Sequence, residues 1–382
     1  MITNVADFLK IIEHFYPHDD VAFFRGQKSS NWGVNSSLCR LINGNLGENT
    51  DKALIRRFAR NLFSEFEKNI PIYPESSILK NYSLNQLDLM FIAQHYGLST
   101  RLIDWSKNPL VALYFAVEQN ISHNVNNDEF SAVYMIFSSE KQKVNIFSSQ
   151  SFYDTYVAEQ NIWKEMFDFI ENKNRQIISS DQEKLISYED ASYLNNIINK
   201  LYSKTEMENI HAFRLHKEIN YHQFSLNALY LVNKKSYFDL YKIMKSDEGH
   251  YINYLSEISN GEIFTDKNVC LIEPLPINFR IKNQQGVFLF SNSVNRDMYP
   301  TDCFNEFNTI RSFDDIEKID GKQGVLKIIV KNEYSKNILN ELGYYGITED
   351  FIYPEITSYT KNVQNKMLKK YIREKEKYSQ NI

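Results

Sequence analysis

Two stretches of the chain carry side chains that could do chemistry. Arg25-Gly26-Gln27 follows directly on the apolar run Val21-Ala22-Phe23-Phe24, and His95, Ser99, Thr100, Arg101 and Asp104 fall inside the otherwise apolar stretch from Phe91 to Val117. An arginine at the end of a strand stands where a cleft usually begins, and its planar guanidinium can grip a phosphate in two places. Gly26 permits a sharp departure of the backbone or the close approach of a ligand. In the second stretch a hydroxyl pair, an arginine, an aspartate and Trp105 bracket Leu102-Ile103, which is too polar for plain core. Each group also has a structural reading. Arg25 could form an ion pair, Arg101 could pair with Asp104 or tie down carbonyls, and His95 could be a satisfied core histidine in a buried polar network that only specifies the fold.

Helices and strands must hold these groups in place. Leu84, Leu87, Met90, Phe91 and Leu98 recur at helical spacing, which predicts a helix from about Asn85 to Tyr96 ended by Gly97, with Gln94 and His95 beside the apolar stripe. Asn108-Pro109 is an N-cap and first-turn pair, after which Leu110, Leu113, Tyr114 and Val117 mark a second helix. The segment between them reads as a short loop, a common place to hold ligand-binding groups rigidly. Val5, Phe8, Leu9 and Ile12 predict a first helix closed by Pro17. Runs at 21–24, 131–137, 269–272, 286–290 and 325–330 predict strands of one mixed sheet. Helices are expected near Glu333 to Leu342 and from Tyr353 onward.

From about Glu140 to Thr265 the composition changes to Asn, Lys, Tyr, Ile and Glu with almost no Gly or Pro, and stripes such as Trp163, Met166, Phe167 and Ile170, then Tyr193, Leu194, Ile197, Ile198 and Leu201, read as helices. The expected fold is therefore α/β (α+β), a mixed sheet with flanking helices formed by residues 1–139 and 266–382 and interrupted by a mainly helical insertion at 140–265. His211, His216 and His222 miss the i, i+4 relation of a helical metal site, so no metal is expected. The 382 residues suffice for a substantial core, and a net charge of −5 argues against a protein that is wholly a nucleic-acid coat. The three cysteines, Cys39, Cys270 and Cys303, are odd in number and far apart, which suits a reducing cytoplasm. Nothing resembles a signal peptide, and the longest apolar run, Leu110 to Val117, falls far short of the roughly 20 residues of a membrane span. Lysines at 361, 366, 369, 370, 375 and 377, with Arg373, form a basic terminal helix, usually a solvated end but able to touch nucleic acid.

Phe24-Arg25-Gly26, Trp32 with Ser37-Leu38 and Arg40, the block from Ala93 to Trp105, and Asn108-Pro109-Leu110-Val111-Ala112-Leu113 together resemble the FRG domain, named for its Phe-Arg-Gly signature. The resemblance resumes at Arg280-Ile281 with Gln284-Gln285-Gly286-Val287-Phe288, and at Phe351-Ile352-Tyr353-Pro354-Glu355. Beyond this, the Arg-Gly, the Ser99-Thr100 pair and a polar residue leading into a later strand are similar to the Arg-Ser-Glu class of ADP-ribosyltransferases. That likeness implies binding of NAD or a related nucleotide through Arg25, Gly26, Gln27, Ser99, Thr100 and Arg101. An oxocarbenium-like ribose needs a nearby acceptor. Gln285 stands where that class has its Glu, so either Glu355 or Asp104 supplies the acceptor from elsewhere, with His95 and Gln285 as the other catalytic candidates, in transfer of ADP-ribose or cleavage of NAD in a defence or toxin setting, or the site binds a nucleotide without turning it over. Two other readings remain open. One is a nucleotide-sensing or protein-binding module whose helical insertion contacts a partner; the other is a nuclease using His95, Asp104 and Glu355. The single-site expectation is that Arg25, His95, Thr100, Arg101 and Gln285 converge on one cleft.

Overall fold

The computed structural model describes residues 2–16, 22–47, 52–73, 83–118, 129–137, 143–178, 187–203, 268–276, 278–290, 308–319 and 324–355, with 358, 360, 363, 364, 367 and 368. The three histidines at 211, 216 and 222, Cys303, Pro17, Val21 and the basic residues from Lys369 to Lys377 lie outside them, as do Lys361 and Lys366.

Among the described residues, helices α1 (Val5–Phe15), α2 (Ser37–Leu46), α3 (Lys52–Asn69), α4 (Gln86–His95), α5 (Pro109–Val117), α6 (Ser149–Ile178), α7 (Tyr188–Ser203), α8 (Phe279–Gln284), α9 (Ser335–Tyr344) and α10 (Glu349–Ile352) accompany eight strands. The strands are β1 (Phe23–Gln27), β2 (Leu102–Ser106), β3 (Phe130–Ile136), β4 (Lys143–Ser148), β5 (Asn268–Glu273), β6 (Gly286–Phe290), β7 (Asn308–Ile310) and β8 (Val325–Lys331). They form one mixed sheet in the order β4-β5-β6-β2-β1-β3-β8-β7, parallel only at its two edges. The fold is α+β. The strand bearing Phe23-Phe24 and the strand 286–290 belong to the same sheet.

Local chemistry explains the elements around the middle of the sheet. Asn85 caps α4 by accepting from Asp88 N at 2.9 Å while the Asp88 carboxylate accepts from Asn85 N at 3.1 Å, and Gly97 at φ 89° lets the chain turn out. Asn108 accepts from Leu110 N at 2.9 Å with Pro109 in the first turn of α5, as its sequence predicts. Apolar residues of α5 then bury against α1, α9 and one face of the sheet, through Phe24, Val133, Met135, Leu326 and Ile328 among others. On the opposite face Phe23, Ile103, Trp105, Tyr134, Val287 and Leu289 form a second core. A third core joins α4 and α6 to β2, β5 and β6 through Phe91, Leu102, Phe152 and Phe288.

Four expectations need correction. The segment after Arg101 is not a loop: Leu102–Ser106 is a central strand, antiparallel to β6 over five residue pairs from Leu102 opposite Phe290 to Ser106 opposite Gly286. Arg25-Gly26-Gln27 does not follow β1 but belongs to it, opposite Tyr134, Val133 and Ala132 of β3. Residues 143–148, placed by composition in the helical insertion, pair with β5 in the sheet. The terminal helix does not start at Tyr353: α10 ends at Ile352, Tyr353, Pro354 and Glu355 follow it in non-helical conformation, and the residues described beyond them, 358, 360, 363, 364, 367 and 368, are helical. Among the described residues no helix is long and apolar enough to cross a membrane.

Candidate functional site

The sheet is pulled open beside Arg25. Strands β1 and β2 share a single residue pair, Phe24 opposite Ser106, and beyond it the Arg25 guanidinium reaches across to donate to the Asp104 carbonyl at 2.6 Å. A side chain therefore stands where a ladder of backbone hydrogen bonds would run. Next to this split lies a pocket of about 170 Å³ whose polar lining comprises Arg25, Asn35, Ser37, Arg40, Gln94 and Asp104, with Gly97, Leu98, Leu102 and Ile103 closing it.

Each polar group is fixed by its neighbours. Thr100 N donates to Ser37 Oγ at 3.0 Å, and the Thr100 carbonyl accepts from Leu38 N at 3.0 Å, which fastens the start of α2 to the lead-in of β2. One turn into α2, Arg40 donates to the Asn35 carbonyl at 2.8 Å and to Asn35 Oδ1 at 2.9 Å. Gln94, on the last turn of α4, donates through Nε2 to Asp104 Oδ1 at 2.7 Å and accepts the Thr100 hydroxyl proton on Oε1. Burial pulls the Arg25 pKa below its ordinary value; the Asp104 carboxylate opposes this and the Arg40 charge adds to it. A guanidinium still stays protonated. Its Nε is buried without a hydrogen-bond partner among the described residues.

The predicted residues divide among several places. Arg25 and Asp104 line the pocket, and Thr100 is buried behind it, holding Gln94. Gln27 is buried on the same face of β1 as Arg25, where its Nε2 donates to the Gly33 carbonyl at 3.2 Å and steadies the loop leading to Asn35. Gly26 does not face a ligand: a methyl built on it would lie 1.9 Å from the Ala112 carbonyl oxygen of α5, so the position serves helix packing. Ser99 and Arg101 are half-buried beside Thr100 and outside the pocket lining.

His95 is turned to other company. Burial lowers its pKa, the Arg280 charge lowers it further, and Glu355 opposes both. That neighbourhood continues into a hydrogen bond from the Tyr353 hydroxyl to Glu118 Oε2 at 2.8 Å, with the Arg280 guanidinium 4.9 Å from the Tyr353 ring centre. Gln285 is exposed, sits in the left-handed region at φ 46° as the C-cap of α8, and its carbonyl accepts from Lys107 N at 3.1 Å at the far end of β2. His95, Gln285 and Glu355 thus stand apart from the pocket that holds Arg25 and Asp104. Sequence reasoning overlooked Asn35, Ser37, Arg40 and Gln94 as site residues. Ser37, Arg40 and Gln94 had a signal, since all three lie in the motif segments; nothing in the sequence singled out Asn35. Among the described residues no group of three or more His, Cys, Asp or Glu side chains is placed to hold a metal ion.

Fold and site together define an α+β protein with a doubly arginine-lined pocket at a split in its sheet. Residues 20–125 match the model of the FRG domain, and the chain carries an FRG domain there. The match covers β1, β2 and α2 to α5, with every polar residue of the pocket, and ends before the later segments around Arg280 and Phe351 in which a resumed resemblance was expected. No curated protein and no solved structure matches the chain.

Proposed function

We propose that the pocket at the β1–β2 split binds a phosphate-bearing nucleotide such as NAD, with Arg25 and Arg40 on the phosphate and Asp104 as the acceptor beside it. The observation that carries this reading is the convergence of two guanidiniums on one pocket, with the Arg25 Nε still unpartnered, opposite a carboxylate already fixed by an amide. Like charges are gathered in this way where an anion is to be held. If NAD is turned over, by ADP-ribose transfer or by glycosidic cleavage, Asp104 is the residue in position to stabilise positive charge developing on the ribose.

A second reading, nucleotide sensing without turnover, is favoured by one specific feature. Among the described residues Asp104 is the one carboxylate in the pocket lining, and His95, Gln285 and Glu355 lie elsewhere. Calorimetric titration with NAD, followed by assay of released nicotinamide, separates the two. Arg25→Ala should weaken NAD binding by about a hundredfold, equivalent to about 2–3 kcal/mol for a charge-assisted contact. Arg25→Lys should recover only part of the loss, because an ammonium lacks the fork geometry. Wild-type protein with no measurable affinity for NAD would remove the NAD reading. Binding without nicotinamide release would leave the sensing module.

A further inference from the structure

Gln94 is held by a chain of donors that leaves it one orientation. Leu102 N donates to Thr100 Oγ1 at 3.1 Å, so the Thr100 hydroxyl proton is free to go elsewhere, and it goes to Gln94 Oε1. The Gln94 amide group must then turn its NH2 toward Asp104 Oδ1, 2.7 Å away. A flipped amide would set oxygen against carboxylate and strand the hydroxyl proton. Asp104 is in this way held with one oxygen engaged and Oδ2 without a hydrogen-bond partner among the described residues, in a side chain that is exposed to the pocket.

We infer that Asp104 reads the hydroxyl pair of a ribose whose phosphate lies on Arg25 and Arg40, so that the pocket takes the ribose-phosphate portion of a ribonucleotide and discriminates against deoxy sugars. The inference rests on the phosphate reading above and adds the sugar class. Three observations carry it. The free oxygen of a fixed carboxylate asks for an O–H or N–H donor, and a vicinal diol is the donor group that accompanies a phosphate in nucleotides; acidic side chains recognise ribose hydroxyls in this manner in dinucleotide-binding folds. Gln94 positions Asp104 and does not itself need to touch the ligand. The volume of about 170 Å³ suits one sugar phosphate, well under the roughly 300–1,000 Å³ of pockets that enclose a whole drug-sized ligand, so the base would project outward.

The test compares AMP, 2′,3′-dideoxy-AMP and inorganic pyrophosphate by calorimetry on the full chain. AMP should bind, and the dideoxy compound should bind about ten- to a hundredfold more weakly, the range for hydrogen bonds to a charged group. Asp104→Asn and Gln94→Ala should each shrink that ratio, with melting curves on the same samples as a control for folding. The ratio in the wild-type protein needs no variant and decides by itself. Equal affinity for AMP and the dideoxy compound overturns the sugar inference and leaves the phosphate reading standing. Pyrophosphate binding without AMP binding does the same. No binding of any of the three overturns both.

Discussion

At Arg25, Gln94 and Asp104 the polar groups of the pocket are defined by what they lack as well as by what they touch. The Arg25 guanidinium and the Asp104 Oδ2, which has no hydrogen-bond partner among the described residues, are a donor group and an acceptor lining one pocket, which is the condition under which a polar ligand gains from entering. The Glu118–Tyr353 pair differs, because its hydrogen bond is made within the protein and its titration is a matter of stability. Burial pushes the Glu118 carboxyl above its ordinary value of 4.5, and Glu349 adds to this, while the Tyr353 hydroxyl, Lys28 and Arg280 oppose it. Between 4.5 and the raised value the folded protein binds more protons than the unfolded chain, so unfolding free energy falls as pH rises through that window. Glu118→Gln keeps an oxygen to accept from Tyr353 and removes the buried charge. The variant should melt higher than the wild type at pH 7 to 8, and the gap should close as pH falls through the raised value toward 4.5. Melting curves of both proteins across that range check this, and a gap independent of pH would show that Glu118 does not titrate as described.

At the scale of elements, the close approach of α5 to β1 rests on one glycine. The Ala112 carbonyl oxygen and Ala116 N of α5 would lie 1.9 Å and 2.7 Å from a methyl at Gly26, and both are backbone atoms that cannot swing away. Gly26→Ala should therefore cost about 3 kcal/mol or more, read as a lowered melting temperature. Gly44→Ala is the control: nothing lies within 4 Å of a methyl there, and in the last turn of α2 the change should stabilise by about 0.5–1 kcal/mol at most. These two elements also show where the sequence was legible. The start of α5 could be read because Asn108 and Pro109 act through local backbone geometry, and the end of α4 because Gly97 adopts a positive φ. Strand β2 could not be read, since Leu102 and Ile103 face opposite cores and the alternation is broken by Asp104, whose polarity serves the pocket. Strand β4 was hidden by a composition shared with the helices after it. The pairing of Arg25 with Arg40 depends on α2 being fastened to Thr100, a contact between residues 63 apart that no local pattern encodes.

At the scale of the whole molecule, the pocket lies within one FRG domain match but is supported by strands outside it. Residues 20–125 supply β1 and β2, which share one residue pair with each other. The partners that hold them are elsewhere: β1 pairs with β3 over five residues from Phe23 opposite Ile136 to Gln27 opposite Ala132, and β2 pairs with β6 over five more. The apolar face of α5 likewise buries against Phe8, Leu326, Ile328 and Ile338 from both ends of the chain. A fragment limited to 20–125 would leave both long edges of its two strands unpaired and much of the α5 face in water. Two strands joined by a single pair cannot form a stable sheet. The fragment should show no cooperative thermal transition and broad, poorly dispersed amide resonances, whereas the full chain should melt cooperatively. A sharp transition in the fragment would show that the pocket is self-supporting, and that the flanking strands β3 and β6 only extend a domain already folded.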